Sequence, residues 1–166
     1  MILYGFTKKT LSLRGKSFLH KETNCFMDER IKELWFERGR IYILTDGGKQ
    51  YSQPLEAFPE LFYATNAQRE NYYVWDDGKS IRWEGIDEDI HISNFFEQET
   101  VNYDNEVNHL LSRFPYIDMK KFAEYLGMHW TKLARFRYGI WVPSSEVLEK
   151  IRNGIKAIGK EMVATA

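Results

Sequence analysis

The 166-residue chain has one cysteine, four prolines and four histidines. A single cysteine excludes an internal disulfide. Cys25 has no neighbouring His or Cys to make a metal site, so it reads as an ordinary thiol in a reducing compartment. With so little proline and no Ser/Gly-rich stretch, a long flexible linker is not expected, and no repeat or low-complexity tract is visible. No apolar run approaches the roughly 20 residues of a membrane helix, so a cytoplasmic chain with no membrane contact is expected. Residues 1–26 lack the continuous apolar segment of a secretory signal. Their basic, acid-poor composition is that of a transit peptide, but the plainer expectation is an N-terminal arm, 1–27, either disordered or translated upstream of a true start at Met27.

Catalytic constellations are also lacking. Gly47-Gly48 is not followed by a helix pattern with Lys-Ser/Thr, so it reads as a turn rather than a phosphate loop. No Ser/His/Asp or Cys/His set is visible, and His20, His91, His109 and His129 are scattered. Asp87-Glu88-Asp89 with His91 is the densest polar cluster. Alternate carboxylates on a strand suit a divalent cation, but an acidic run on a surface strand is more often simply solvated. No enzyme activity, catalytic residue, metal or cofactor is expected.

What is present is a core-forming composition, 43% apolar and 16% aromatic against 28% charged. The net charge of −1 conceals an asymmetry. Residues 27–96 carry eight basic and fourteen acidic side chains, whereas 117–166 carry nine basic and five acidic. An acidic body with a basic last third suits a protein whose C-terminal part meets phosphate.

From Asp28 the pattern is that of short strands. Segments 31–36 and 40–45 alternate about Arg38-Gly39, and 49–53 follows the hairpin signal Asp46-Gly47-Gly48. Leu55, Phe58, Leu61 and Phe62 mark short helical turns interrupted by Pro59. Thr65 and Gln68 have capping-box spacing for a helix to about Tyr72. Strands return over 72–83 about Asp76-Asp77-Gly78, and Ile86 to Phe96 closes the unit as a short strand and turn. Trp35-Phe36-Glu37 with Gly39-Arg40-Ile41-Tyr42, Pro54-Leu55 with Phe58-Pro59, Gln68-Arg69-Glu70-Asn71-Tyr72 and Ile86-Asp87-Glu88-Asp89-Ile90 resemble a bacterial domain of unknown function, family 2442. The resemblance covers 28–96 and implies no chemistry. Standalone members are similar to antitoxin-like partners of a second small protein, of unknown-function family 4160.

Beyond Phe96 the period changes to that of helices. Val107, Leu110, Leu111 and Phe114 place a helix over about Asp104–Ser112. Met119, Phe122, Ala123 and Leu126 form one apolar stripe behind the cap Asp118, and Gly127 ends that helix. A second short helix carries Leu133 and Phe136 inward and stops at Tyr138-Gly139. Pro143-Ser144-Ser145-Glu146 opens a third, whose stripe runs Leu148, Ile151, Ile155, Ile158, Met162. Two short helices about a glycine turn are the layout of a helix-turn-helix. The intervals resemble the lambda-repressor-like superfamily. That resemblance places Ala123 at the helix crossing, Gly127 in the turn, and His129, Trp130, Thr131, Lys132 and Arg135 toward DNA, and Tyr138 at the helix end is expected to join them. Where many members carry Gln at the start of the first helix, this chain has Met119. The blander alternative is three packed helices with a solvated basic side. Trp130 likewise has two readings, contact with a thymine methyl or sugar and packing back against the first domain.

The expectation is an α+β chain, with a small antiparallel β-sheet domain with short helices (28–96) followed by an all-α helix-turn-helix domain (100–166) with its own core. Its expected role is sequence-specific binding of double-stranded DNA as a homodimer, as an antitoxin-like regulator of its own operon with a small toxin-like partner encoded beside it. The alternative is a protein–protein module that neutralises a small partner, its helical part only dimerising.

Overall fold

Arg38 and Gly39 both take positive φ, 48° and 73°, as a two-residue hairpin turn whose twist matches its strands requires. In the computed structural model, which describes residues 29–165, this turn joins β1 (Ile31–Glu37) to β2 (Arg40–Thr45). The expectations for 1–27, with Cys25 and His20, lie outside the described residues. β3 (Gln50–Pro54) completes an antiparallel sheet of order β1-β2-β3. Period-two alternation turns Ile41 and Ile43 fully inward, while Trp35 and Tyr42 stack as a cross-strand pair at 5.2 Å.

A 3-10 turn, Leu55–Ala57, leads into α1 (Pro59–Tyr63), where proline sits in the first turn and needs no N–H partner. The Thr65/Gln68 capping box opens α2 (Asn66–Glu70). This helix ends at Glu70 rather than near Tyr72, because Asn71 leaves helical dihedrals and frees the Tyr72 ring to pack on Trp83 at 5.7 Å. β4 (Tyr73–Val74), β5 (Ser80–Trp83) and β6 (Glu88–His91) then form a second antiparallel sheet, order β4-β5-β6. The chain is thus α+β with two three-stranded sheets rather than one, since α1 and α2 intervene between β3 and β4. Both sheets and α1 share one apolar cluster around Ile41, Ile43, Leu61, Ile81, Trp83 and Ile90.

Four capped helices follow. Asn105 caps α3 (Glu106–Ser112), Asp118 caps α4 (Met119–Tyr125), His129 caps α5 (Trp130–Arg137) and Ser144 caps α6 (Ser145–Ala164). Their apolar faces meet in a second cluster, Val107, Leu111, Phe122, Ala123, Leu126, Leu133, Phe136 and Ile151. α6 is buried in it at Ile151 and Gly154, Ile155 and Ile158 pack partly against it, and Met162 and Val163 are exposed. A Cβ on Gly154 would lie 2.6 Å from Leu126, so glycine sets how closely α6 approaches α4. Among the described residues no helix is long and apolar enough to cross a membrane.

Candidate nucleic-acid interface

The α4–α5 connection is tight because its backbone closes on itself. Gly127, at φ +61°, donates to Glu124 O at 2.8 Å, and Met128 N reaches Ala123 O at 3.0 Å. Ala123 is fully buried, and Leu133 and Phe136 anchor α5 in the helical core. At about 100° per residue, the side of α5 opposite those anchors carries Thr131, Ala134, Arg135 and Tyr138, with Trp130 at its edge and partly packed on the helical core as well.

That side is not open to solvent as a whole. Trp130 Nε1 donates to Glu60 Oε1 at 3.0 Å, and its ring meets Tyr63 edge-on at 5.7 Å. Lys120 Nζ stands over the Trp130 ring, 4.4 Å from its centroid. Ala134 is fully buried. Arg135 Nε donates to the Ala57 carbonyl at 2.9 Å, and its guanidinium lies 4.7 Å from the Trp141 ring. The hydroxyls of Tyr138 and Tyr63 hydrogen-bond one another, and Phe62 lies 5.0 Å from the Tyr138 ring. Beyond α5, Ile140 packs on the β-rich cluster.

Of the six residues expected toward DNA, Trp130, Arg135 and Tyr138 therefore meet the β-rich unit. His129 and Lys132 are exposed and Thr131 is half-buried. His129 Nδ1 accepts from Thr131 N and pairs with Thr131 Oγ1 at 2.8 Å, which ties both to the helix cap. For Trp130, the reading of packing against the first unit describes the observed contacts.

Electrostatics follow from this contact. Burial lowers the Arg135 pKa, while Glu88 and Glu99 act to raise it. Glu88, half-buried on β6, is pushed up to about 7, chiefly by desolvation and further by Glu60, Asp89 and Asp87, with Arg135 opposing. Burial and then the Tyr63 hydroxyl raise the Tyr138 phenol. Burial and Glu56, which accepts its O–H at 2.5 Å, push Tyr103 up to about 12.

The segment joining the units is held as well. Fully buried Gln53 donates to Asn94 O at 2.7 Å and Glu97 O at 2.5 Å, and accepts from Glu99 N at 2.9 Å. Asn102 N donates to Tyr138 O at 2.9 Å, and Asn105 Nδ2 to Arg137 O at the same distance, which satisfies carbonyls at the end of α5. Gly139 is required there. Its φ is +67°, and a Cβ would stand 2.3 Å from Asn102 O.

Among the described residues no group of three or more His, Cys, Asp or Glu is placed to hold a metal ion. The Asp87–Asp89 run is dispersed, with Asp87 pairing with Arg82 at 2.7 Å and Glu88 within the field of Arg135.

By fold, then, this is an α+β chain whose β-rich part covers one side of a helix in a four-helix C-terminal part. Residues 31–100 match a family described as protein of unknown function (DUF2442). The match takes in all six strands and stops before α3, so it covers less than half of the chain. No curated protein and no solved structure matches the chain.

Sequence patterns missed Glu60, Tyr63, Glu88 and the Ala57 carbonyl as partners of α5, and Lys120 as the cation on Trp130. The carbonyl carries no side-chain signal at all. Tyr63 had one, since it follows the inward Leu61-Phe62 pair and cannot share their side of a one-turn helix.

Proposed function

We propose that this is a sequence-specific DNA-binding protein, an antitoxin-like regulator of its own operon, that presents α5 to a major groove as a homodimer. The observation that carries the reading is the α4–turn–α5 unit. Its buried Ala123, left-handed Gly127 and inward Leu133 and Phe136 leave Thr131, Ala134, Arg135 and Tyr138 of α5 outside the helical core, with Trp130 at its margin. A helix held this way offers its N-terminal residues and outward side to base edges. Lys132 and Lys120 lie beside that side as phosphate partners, and the cap residues His129 and Thr131 stand at its entrance. Two copies would read half-sites about 34 Å apart.

The contact of Trp130, Arg135 and Tyr138 with the β-rich unit favours a second reading. In that reading the chain is a protein–protein module whose helical part only dimerises, through the apolar end of α6 at Met162 and Val163. Titration of a labelled duplex from upstream of the chain's own gene, against a scrambled duplex, separates the two. Tighter binding to the upstream duplex is expected. Lys132→Ala should weaken binding to both duplexes alike and reduce the salt slope by about 1, as loss of one phosphate contact does. Equal, salt-insensitive or undetectable binding to both duplexes, together with a stable complex with the neighbouring gene product, would replace the first reading by the second.

A further inference from the structure

The geometry points to an intramolecular latch in which the β-rich unit covers the DNA-reading side of α5, so that the chain as folded here is the low-affinity form and parting of the two units exposes that side. This rests on the DNA-binding reading above and adds its regulation.

The covering is specific to that side. Trp130, Ala134 and Tyr138 fall within about 80° of one another around α5, with Arg135 adjacent. Each is engaged or enclosed, Trp130 by Glu60 and Tyr63, Arg135 by the Ala57 carbonyl, Tyr138 by Tyr63 and Phe62, and Ala134 by full burial. A groove and a protein surface cannot occupy one side of a helix together. The covering surface also resembles its competitor in chemistry. Glu60 accepts the indole N–H, a backbone carbonyl accepts the guanidinium N–H, and Glu88 adds negative potential at Arg135. These are anionic and acceptor groups, as phosphates and base edges are.

The contact is of a kind that opens. Apart from Ile140, which packs on the β-rich cluster, it joins polar pairs and aromatic edges, the two buried clusters share no residue, and Tyr63 and Tyr103 within it are still 52% and 48% exposed. Contacts of this composition between parts of one chain permit relative motion. A form competent in only part of the population binds with affinity reduced by that fraction.

The test uses Glu60→Ala and Tyr63→Ala in the full chain, since both lie on the covering surface and neither alters α5. Circular dichroism checks that each variant is folded, and a labelled upstream duplex reports affinity. Both variants should bind more tightly than the unaltered chain, about tenfold if the latch is open in about one molecule in ten. Arg135→Ala added to Glu60→Ala should abolish the gain. On the unaltered chain, hydrogen exchange should show the duplex protecting 130–138 while exchange quickens over 57–63. If the unaltered chain binds the duplex but the folded variants bind no more tightly, or if 57–63 stays protected in the bound form, the latch is refuted while the DNA-binding reading stands. If neither the chain nor any variant binds upstream or generic DNA at low salt, the DNA-binding reading fails and the latch falls with it.

Discussion

The β-rich and helical units reach their buried cores by similar means but dispose of their polar groups differently. In the β-rich unit, long side chains close back on the unit itself. Trp83 Nε1 donates to Arg69 O, and Arg69 in turn satisfies the Leu61 and Phe62 carbonyls at the end of α1. In the helical unit the caps are local and Arg152 and Arg137 reach Glu106 and Asn108 within it, but other side chains with reach go elsewhere. Trp130 and Arg135 cross to the β-rich unit, Tyr103 crosses from the joining segment to Glu56, and Asn105 fastens that segment to the end of α5. Separate cores therefore do not make separate surfaces. The helical unit's outward side is completed by its neighbour, where Glu60 accepts the Trp130 N–H and Glu88 lies within the field of Arg135.

Breaking one core is the largest test of that contrast. Leu133→Ala removes a fully buried anchor of the helical cluster and should cost about 2–5 kcal/mol. Urea unfolding followed by hydrogen exchange should show α3–α6 losing protection first, with the amides of Ile41 and Ile43 shifting less. Equal loss at both places would mean the two clusters unfold as one.

A smaller effect is expected at the joint. Gln53→Ala would leave the Glu97 carbonyl and Glu99 N–H of the joining segment, and the Asn94 carbonyl just before it, without their partner, a loss of about 2–3 kcal/mol. Limited proteolysis within 97–104 should accelerate in the variant while cutting elsewhere is unchanged. An unaltered rate there would show that Asn102 and Asn105 hold the segment without Gln53.

Much of this contrast was legible in the sequence on one side and not on the other. The hairpins could be read because alternation and Arg38-Gly39 are local signals, as are the Thr65/Gln68 box and the Asp118 and Ser144 caps. Splitting of the strands into two sheets could not, because nothing in β4 states which strand it will avoid. The same limit applied to the site. Periodicity assigned Leu133 and Phe136 inward and left Trp130, Arg135 and Tyr138 outward, which holds for Arg135 and Tyr138 in the helical cluster alone, whereas Trp130 also packs partly against that cluster. That the outward side would be met by α1 and the Leu55–Ala57 turn depends on how two cores dock. Docking is set by shape and by residues some 70 positions apart, which no helical period encodes.

The smallest expected effect probes the docked surface through pH. Glu88 stands among Arg135 from α5, Glu60 from α1, and Asp87 and Asp89 of its own strand region. Desolvation raises its pKa from the ordinary 4.5 to about 7. Between those values the unfolded chain has released this proton and the folded chain still holds it. The unfolded state binds fewer protons there, so stability falls as pH rises. The contribution is fully present below about 4.5, declines through about 7 and is level above it. Solvent still reaches the half-buried carboxyl, so the loss should be discounted to on the order of 1 kcal/mol. Glu88→Gln cannot ionise and should remove this part of the slope, so that its urea midpoint, relative to the unaltered chain, rises between pH 5 and pH 8. A difference between the two chains that is the same at both pH values would place the proton elsewhere and leave Arg135 facing a carboxylate throughout.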